Sequence, residues 1–311
     1  MLRRTQVVYV TTDPFFSPRG KVLYSFDQFL TEVAQAQMPC VWMTGWTRAQ
    51  LDEPRRRLGQ NEPYIGESGC AVYLPEGYFH LKGSNTIRLG RYTCIPVAKP
   101  QPAAAEALEE LAADLDIAVV PLRNLSEREL SQNTGLPARE AVMIRQRDFD
   151  ELFFFAGAAD AAIEKFRQEA EHRGLRVQRN SQFWSLSCGA NLAKCVHELG
   201  TLYDRALRGH ARRVGLRVLT GDGKQSTTTD GWPAAAFDKS LSLTEHADRS
   251  GKLEETVEDQ VSLAGAGDST DFADGAKSHT AGAPQANHFY LHSPHVWDDI
   301  LAAMGTATLR R

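Results

Sequence analysis

The sequence predicts an α/β protein, in which a doubly wound parallel-sheet (Rossmann-like) core is interrupted by an inserted α+β cap domain. First, the apolar run from Val7 to Val10 leads to a single carboxylate at Asp13, as in a buried parallel strand that ends at the carboxyl edge of a sheet. Second, strand and helix patterns alternate at both ends of the chain. Third, the middle of the chain has paired strands with interposed helices instead, which favours an α+β insert.

The first part of the core is expected to span residues 1–78. Its second strand ends in Thr44, and the hydroxyl of Thr47 is placed to cap the helix that follows. The elements predicted after the first strand are a helix at 24–37, a strand at 39–44, a helix that begins at 47, and two short strands within 64–75.

The predicted insert spans residues 79–186 and breaks the alternating pattern. Its predicted strands lie at 88–97, 117–120, 152–155, 175–177 and 183–186, the last two forming a hairpin. Its predicted helices lie at 103–115, from 126 onward, from 136 towards 147, and at 161–173.

The second part of the core is expected over residues 187–311. It begins with a helix at 193–208 and a strand at 216–220, and Asp222 comes directly after that strand. Residues 246–287 are rich in Gly, Ala, Asp, Ser and Thr with little periodicity, which favours a flexible surface excursion. A last strand at 289–291 and a helix at 296–304 complete the prediction.

The composition is ordinary for a soluble globular protein, with 42% apolar and 24% charged residues among 311. A net charge of −4 and scattered arginines argue against a nucleic-acid partner, and no apolar run is long enough to predict a membrane span. The N-terminus has no secretory pattern, and the five cysteines contain no C-x-x-C pair. We therefore expect a cytoplasmic protein with reduced thiols and no zinc site.

Four polar residues are predicted at the edges of core elements: Asp13, Thr44, Lys194 and Asp222. A strand-end carboxylate can attack phosphorus and form an aspartyl-phosphate. A hydroxyl and a lysine can hold phosphoryl oxygens, and a second carboxylate can share a magnesium ion with the first. This set of residue types therefore fits phosphoryl chemistry.

Three longer motifs give a family resemblance. The run T-G-W-T-R-A-Q at 44–50 resembles S-S-K-T-R-A-E, and G-E-S-G-C-A-V-Y-L-P-E-G-Y-F at 66–79 resembles E-N-G-x-A-I-x-x-P-x-G-Y-F. The run R-D-F-D-E at 147–151 resembles the cap motif R-E-F-D-E. With these motifs, the chain resembles the haloacid-dehalogenase superfamily, and within it the mannosyl-3-phosphoglycerate phosphatases.

The resemblance implies a Mg²⁺-dependent phosphatase that hydrolyses a phosphomonoester of the sugar-glycerate type through an aspartyl-phosphate. Its partner would be a phosphorylated small molecule. The implied nucleophile is Asp13, with Thr44 and Lys194 as phosphate-binding residues. Asp13, Asp222 and Asp230 would hold the metal, and Arg147 in the cap would bind the glycerate carboxylate.

The nucleophile motif departs from the family pattern D-x-D-G-T, in which the first Asp is the nucleophile and the second the general acid/base. This chain has one Asp there, so two registers are open. Counting back from Y-S-F at 24–26 places Asp13 at the nucleophile and Phe15 at the acid/base, which is the register preferred here. Counting by the strand places Thr11 at the nucleophile and Asp13 at the acid/base.

The lysine and metal motifs also depart from the family. D-K-G-K-A becomes N-L-A-K-C at 191–195, which leaves Lys194 as the candidate, and G-D-S-x-N-D becomes G-D-G-K-Q-S at 221–226. There Ser226 replaces the second Asp, unless Asp230 takes its role across a short insertion. These changes leave an alternative: a catalytically degenerate pseudophosphatase that serves as a sugar-phosphate-binding or protein-partner module.

Overall fold

The computed structural model describes residues 5–17, 21–79, 85–180, 183–219, 231–244 and 287–305. Within these ranges the chain forms a nine-stranded sheet and a four-stranded sheet. The predicted α/β class, with a parallel core sheet and a second α+β unit, is confirmed.

The central strand of the larger sheet is β1 (Thr5–Thr11), which pairs in parallel with a neighbour on each side. Its side chains are buried from Val7 onward because helices cover both faces of the sheet. In spatial order the strands are β13 (Asn287–Tyr290), β12 (Lys239–Thr244), β11 (Ala211–Leu219), β1, β2 (Cys40–Met43), β3 (Tyr64–Gly66), β4 (Ala71–Pro75), β6 (Tyr92–Pro96) and β5 (Ile87–Leu89). The pairs from β13 to β3 are parallel, and those beyond β3 are antiparallel.

Apolar side chains of β1 alternate between two cores. Val8 and Val10 join an aromatic-rich cluster on one face, whereas Val7 and Tyr9 pack on the other. The first face is covered by α1 (Phe26–Gln35), α2 (Arg48–Arg57) and α8 (Val296–Met304), and the second by α7 (Leu192–Ala206). The core is therefore doubly wound, as predicted.

The smaller sheet is antiparallel, in the order β7 (Val119–Pro121), β8 (Asp150–Phe155), β10 (Phe183–Ser187) and β9 (Arg176–Asn180). On one face it packs against α3 (Gln101–Leu115) and α6 (Asp160–His172), and on the other against α4 (Glu127–Thr134) and α5 (Ala138–Ile144). Ser126 caps α4 through a reciprocal pair of bonds with Glu129.

Two parts of the larger sheet differ from the prediction. The single strand expected at 88–97 is a hairpin of β5 and β6, which turns at Gly90 with φ of +59° and joins the larger sheet. The strand β12 was not predicted; its Leu241 and Leu243 are buried and alternate with serines over only six residues, a short signal beside a low-complexity segment. The division at 78 and 186 stays a prediction, and residues 246–286 lie outside the described ranges.

The five cysteines form no disulfide. Cys188 is half-buried, and the other four are buried. No helix in the described ranges combines the length and apolarity that crossing a membrane requires.

Candidate active site

Asp13 lies just beyond the carboxyl end of the central strand. The strand β1 ends at Thr11, and Asp13 begins a short 3-10 turn, Asp13–Phe15, in which Pro14 fixes the backbone. Because β1 lies between β2 and β11, this position faces the ends of both neighbours. Ligands of open α/β sheets bind along this edge.

Two donors hold the Asp13 carboxylate. The Thr44 hydroxyl donates to Oδ1, and the Gly45 amide donates to Oδ2 at 2.8 Å. The Thr44 oxygen itself accepts from the Trp46 amide at 3.0 Å, so its proton is directed to Asp13. The structure therefore brings together two of the predicted site residues, Asp13 and Thr44.

The Asp13 carboxyl group is costly to ionise. Burial raises its pKa from 3.8 to about 6, and the Thr44 hydroxyl, the Gly45 amide and the charge of Arg147 oppose that shift. A carboxyl group with such a pKa is ionised at neutral pH and protonated in mild acid, so it can serve either as a nucleophile or as an acid/base.

Phe15 points into the core. It is fully buried, and its ring stacks on Phe26 with centroids 4.2 Å apart and lies 5.7 Å from Trp297. Thr11 is buried as well, and its hydroxyl oxygen accepts from the Val218 amide at 2.8 Å. Asp13 is the acid that the motif presents at the strand end, and its assignment to the nucleophile or the acid/base register stays a prediction.

The side chain of Arg147 is buried, with 3% of it exposed. Its Nη2 donates to Asp150 Oδ2 at 2.7 Å and to the Gly45 carbonyl at 2.9 Å, and its Nε also donates to Asp150. The predicted role of Arg147 as a glycerate ligand stays untested.

Glu67 contacts the segment that leads from Arg147 into β8. It is fully buried, and its carboxylate accepts from three consecutive amides, those of Asp148 at 2.9 Å, Phe149 at 2.8 Å and Asp150 at 3.2 Å. Burial raises the pKa of Glu67, while the guanidinium of Arg147 lowers it. Glu67 thus holds the segment that leads into β8, together with the first residue of β8, against the larger sheet.

The turn that carries Glu67 is strained. Glu67 and Ser68 are left-handed, with φ of 48° and 55°, and Gly69 follows at 93°. A Cβ atom on Gly69 would lie 2.8 Å from the Leu192 amide nitrogen, so only glycine allows α7 to approach this closely. The turn therefore lies against the N-terminus of α7.

Lys194 lies in the first turn of α7 and is exposed. Its backbone amide donates to the capping side chain of Asn191 at 2.9 Å, and the Asn191 amide donates to the Gly69 carbonyl at 3.0 Å. The strained turn thus connects Lys194 with Thr44, whose carbonyl accepts from the Ser68 amide at 2.9 Å. Contact between the Lys194 ammonium and a phosphate stays a prediction.

The metal prediction is only partly covered by the structure. Asp222 and Asp230 lie outside the described residues, and within those residues no group of three His, Cys, Asp or Glu side chains could hold a metal. Asp13 supplies a carboxylate at the sheet edge, and carboxylate oxygen is the donor that Mg²⁺ prefers. The donor type therefore fits magnesium.

Sequence reasoning did not identify Gly45 as part of the site. Its contribution comes from its backbone amide and carbonyl, and no residue pattern encodes these groups. The available signal was its position directly after a strand-end threonine, where backbone donors are exposed.

No protein-family profile matches the chain. It is 24% identical over 183 residues to the glucosyl-3-phosphoglycerate/mannosyl-3-phosphoglycerate phosphatase of Methanococcoides burtonii, a match that covers 58% of this chain and 67% of that protein. It is 23% identical over 184 residues to the mannosyl-3-phosphoglycerate phosphatase of Pyrococcus furiosus, a match that covers 59% of this chain and 73% of that protein. The chain resembles the mannosyl-3-phosphoglycerate phosphatases.

The resemblance predicted from the motifs is thereby confirmed. The chain is also similar to the glucosyl-3-phosphoglycerate/mannosyl-3-phosphoglycerate phosphatase of Persephonella marina, with 25% identity over 50% of this chain. That match spans 56% of the relative's length. Matches among solved structures include haloacid dehalogenase-like hydrolases from B. subtilis and Bacteroides thetaiotaomicron. Their TM-scores are 0.48 and 0.46 and their identities 14% and 12%; the matches cover 76% and 77% of this chain, and 88% and 94% of those chains.

Proposed function

We propose that this chain is a phosphatase-like protein whose ligand is a phosphomonoester of the sugar-glycerate type, such as mannosyl-3-phosphoglycerate, and that Asp13 is its reactive carboxylate. One observation carries the proposal: the Asp13 carboxylate lies at the carboxyl end of the central parallel strand, held by the Thr44 hydroxyl and the Gly45 amide. The names of the sequence relatives support the ligand class.

In the proposed reaction an Asp13 oxygen forms a bond to phosphorus while the bond to the substrate's alkoxide oxygen breaks. Water then releases phosphate from the aspartyl-phosphate. Thr44 and Lys194 would hold the phosphoryl oxygens, and Asp13, Asp222 and Asp230 would hold Mg²⁺, which when bound offsets negative charge on the phosphate. Because Phe15 offers no proton, the alkoxide takes its proton from water, and turnover is slow.

A second function is a phosphate-ester-binding module without turnover. The observation in its favour is the burial of Phe15 among aromatic rings at the position that the preferred register assigns to the general acid/base. Loss of such a group typically lowers the rate by about 10²- to 10⁴-fold.

Phosphate release separates these functions. The purified protein is incubated with Mg²⁺ and a panel of phosphorylated glycerate glycosides, and Asp13→Asn is compared with wild type. Asp27→Asn, an exposed carboxylate at the start of α1, is the matched control. We expect release by wild type and Asp27→Asn and none above background by Asp13→Asn.

Undiminished release by Asp13→Asn would overturn the assignment of the reactive carboxylate. Absence of release by wild type, together with Mg²⁺-dependent ligand binding in calorimetry, would establish the binding module instead.

A further inference from the structure

Both backbone polar groups of Gly45, its amide and its carbonyl, form hydrogen bonds with side chains of the site. Its amide donates to Asp13 Oδ2 at 2.8 Å, and its carbonyl accepts from Arg147 Nη2 at 2.9 Å. Gly45 therefore joins the carboxylate of Asp13 to the guanidinium of Arg147, which lies 102 positions after Gly45 in the chain.

The guanidinium that holds Gly45 is itself tightly placed. The Asp150 carboxylate accepts hydrogen bonds from both Nε and Nη2 of Arg147, a bidentate arrangement that fixes the plane of the guanidinium. Only 3% of the Arg147 side chain and 2% of that of Asp150 are exposed. With this geometry Arg147 can hold a protein carbonyl in one position.

The backbone on either side of this contact is anchored by the strained turn. The Glu67 carboxylate accepts from the amides of residues 148–150, which sets the start of β8, and the Ser68 amide donates to the Thr44 carbonyl at 2.9 Å. One turn thus holds both the segment that carries Arg147 and the segment that carries Gly45.

We propose that Arg147 is a positioning residue, which acts through the Gly45 carbonyl to fix the two donors that hold the Asp13 carboxylate. The segment leading into the smaller sheet then completes the Asp13 site of the larger sheet. The catalytic consequence rests on the proposed function, whereas the positioning itself does not.

Arg48 is a second arginine between the larger sheet and the segment before β8, and it provides a comparison for Arg147. Arg48 on α2 pairs with Asp148 at 3.2 Å, so it also joins the larger sheet to the segment before β8. Arg48 donates to the Asp148 carboxylate and not to the Gly45 peptide group. If Arg147 only docked the smaller sheet, replacing either arginine would have the same effect on the Asp13 site.

Amide hydrogen exchange at Gly45 measures the positioning directly. The full chain, labelled with ¹⁵N-glycine, is compared by NMR as wild type, Arg147→Met and Arg48→Met. We expect exchange at Gly45 to rise about tenfold or more in Arg147→Met, as loss of a charge-assisted hydrogen bond implies, and to stay near wild type in Arg48→Met. Arg147→Lys keeps the charge with one donor group and is expected to lie between.

Activity gives the second measurement. We expect kcat to fall in Arg147→Met with little change in KM, and Arg48→Met to keep its kcat. A wild type without turnover would defeat the proposed function alone, because the exchange comparison would still decide the positioning.

Equal exchange at Gly45 in Arg147→Met and Arg48→Met, or exchange unchanged from wild type in both, would overturn the proposal. If Arg147→Met does not fold, Asp150→Asn takes its place, since it removes the carboxylate that fixes the guanidinium. Exchange at Gly45 that stays at the wild-type rate in a folded Asp150→Asn would then contradict it.

Discussion

The carboxyl group of Asp13 combines a polar edge position with surroundings that disfavour its charge. Its pKa of about 6 exceeds the ordinary value of 3.8, so the native state binds a proton more tightly than the unfolded chain. Below about pH 4 Asp13 is protonated in both the native and the unfolded state, so it does not lower the free energy of unfolding. As the pH rises from about 4 through 6, the native state loses up to about 3 kcal/mol of stability relative to the unfolded chain, and the loss levels off above that pH.

Asp13→Asn is therefore expected to stabilise the protein. The free energy of unfolding should rise by about 1–3 kcal/mol at pH 7.5, and the difference should vanish near pH 4. Urea denaturation of both proteins at the two pH values measures it. A variant that is less stable than wild type at pH 7.5 would mean that the carboxylate supports the fold.

The same pKa sets a pH profile. In the proposed reaction the ionised carboxylate is the nucleophile, so we expect phosphate release by the wild type to fall as the pH drops below about 6. Initial rates between pH 4.5 and 8 measure this limb. A rate that rises towards acid pH would instead indicate that the protonated form of the group is used.

Phe15 is expected to tolerate an apolar replacement but not a charge. Phe15→Asp would place a carboxylate among the rings of Phe26 and Trp297, and we expect the free energy of unfolding to fall by about 3–5 kcal/mol or more. Phe15→Leu, the control, should cost about 1–3 kcal/mol. Urea denaturation compares the two, and a Phe15→Asp variant as stable as wild type would show that residue 15 can reach the site edge.

At the scale of elements, α2 contains an arginine where an apolar residue would fit. Arg55 is 1% exposed and lies over the rings of Tyr64 and Trp42, 4.7 and 5.5 Å from their centroids. Its Nη2 donates to the Glu62 carbonyl, but among the described residues Nε and Nη1 have no partner. The cation–π contacts offset part of the cost of these buried donors.

We expect Arg55→Met to raise the free energy of unfolding by about 1–3 kcal/mol, because it removes two unpaired buried donors and keeps the apolar stem. Arg56→Met, on the exposed side of the same helix, should change stability by less than about 0.5 kcal/mol. Thermal denaturation measures both. A destabilised Arg55→Met would mean that the cation–π contacts outweigh the missing hydrogen bonds.

The elements themselves were largely predictable. The run that ends at Thr11 is apolar and largely β-branched, and the run that ends at Thr44 is apolar. Such runs are typical of buried strands in a parallel sheet. The hairpin at Gly90 was read as one strand because β5 and β6 are only three and five residues long and separated by two residues.

At the scale of the whole molecule, the two sheets are tied together around the Asp13 site. Glu67 holds the amides of residues 148–150, Arg147 holds the Gly45 carbonyl, and the Thr47 hydroxyl donates to the Met143 carbonyl at 3.0 Å. Each contact joins residues more than 80 positions apart in the chain. No local pattern predicts which buried charges meet across such a separation, so the roles of Glu67 and Gly45 required the structure.

The central claim is that Asp13 is the reactive carboxylate, and mass spectrometry tests it most directly. Wild type and Asp13→Asn are incubated with Mg²⁺ and mannosyl-3-phosphoglycerate, quenched in acid and digested. Because Phe15 cannot activate water, an aspartyl-phosphate should accumulate, and we predict one phosphoryl group on Asp13 in wild type and none in the variant. Phosphate release by wild type without phosphorylation of Asp13, or equal release by Asp13→Asn, would contradict the account.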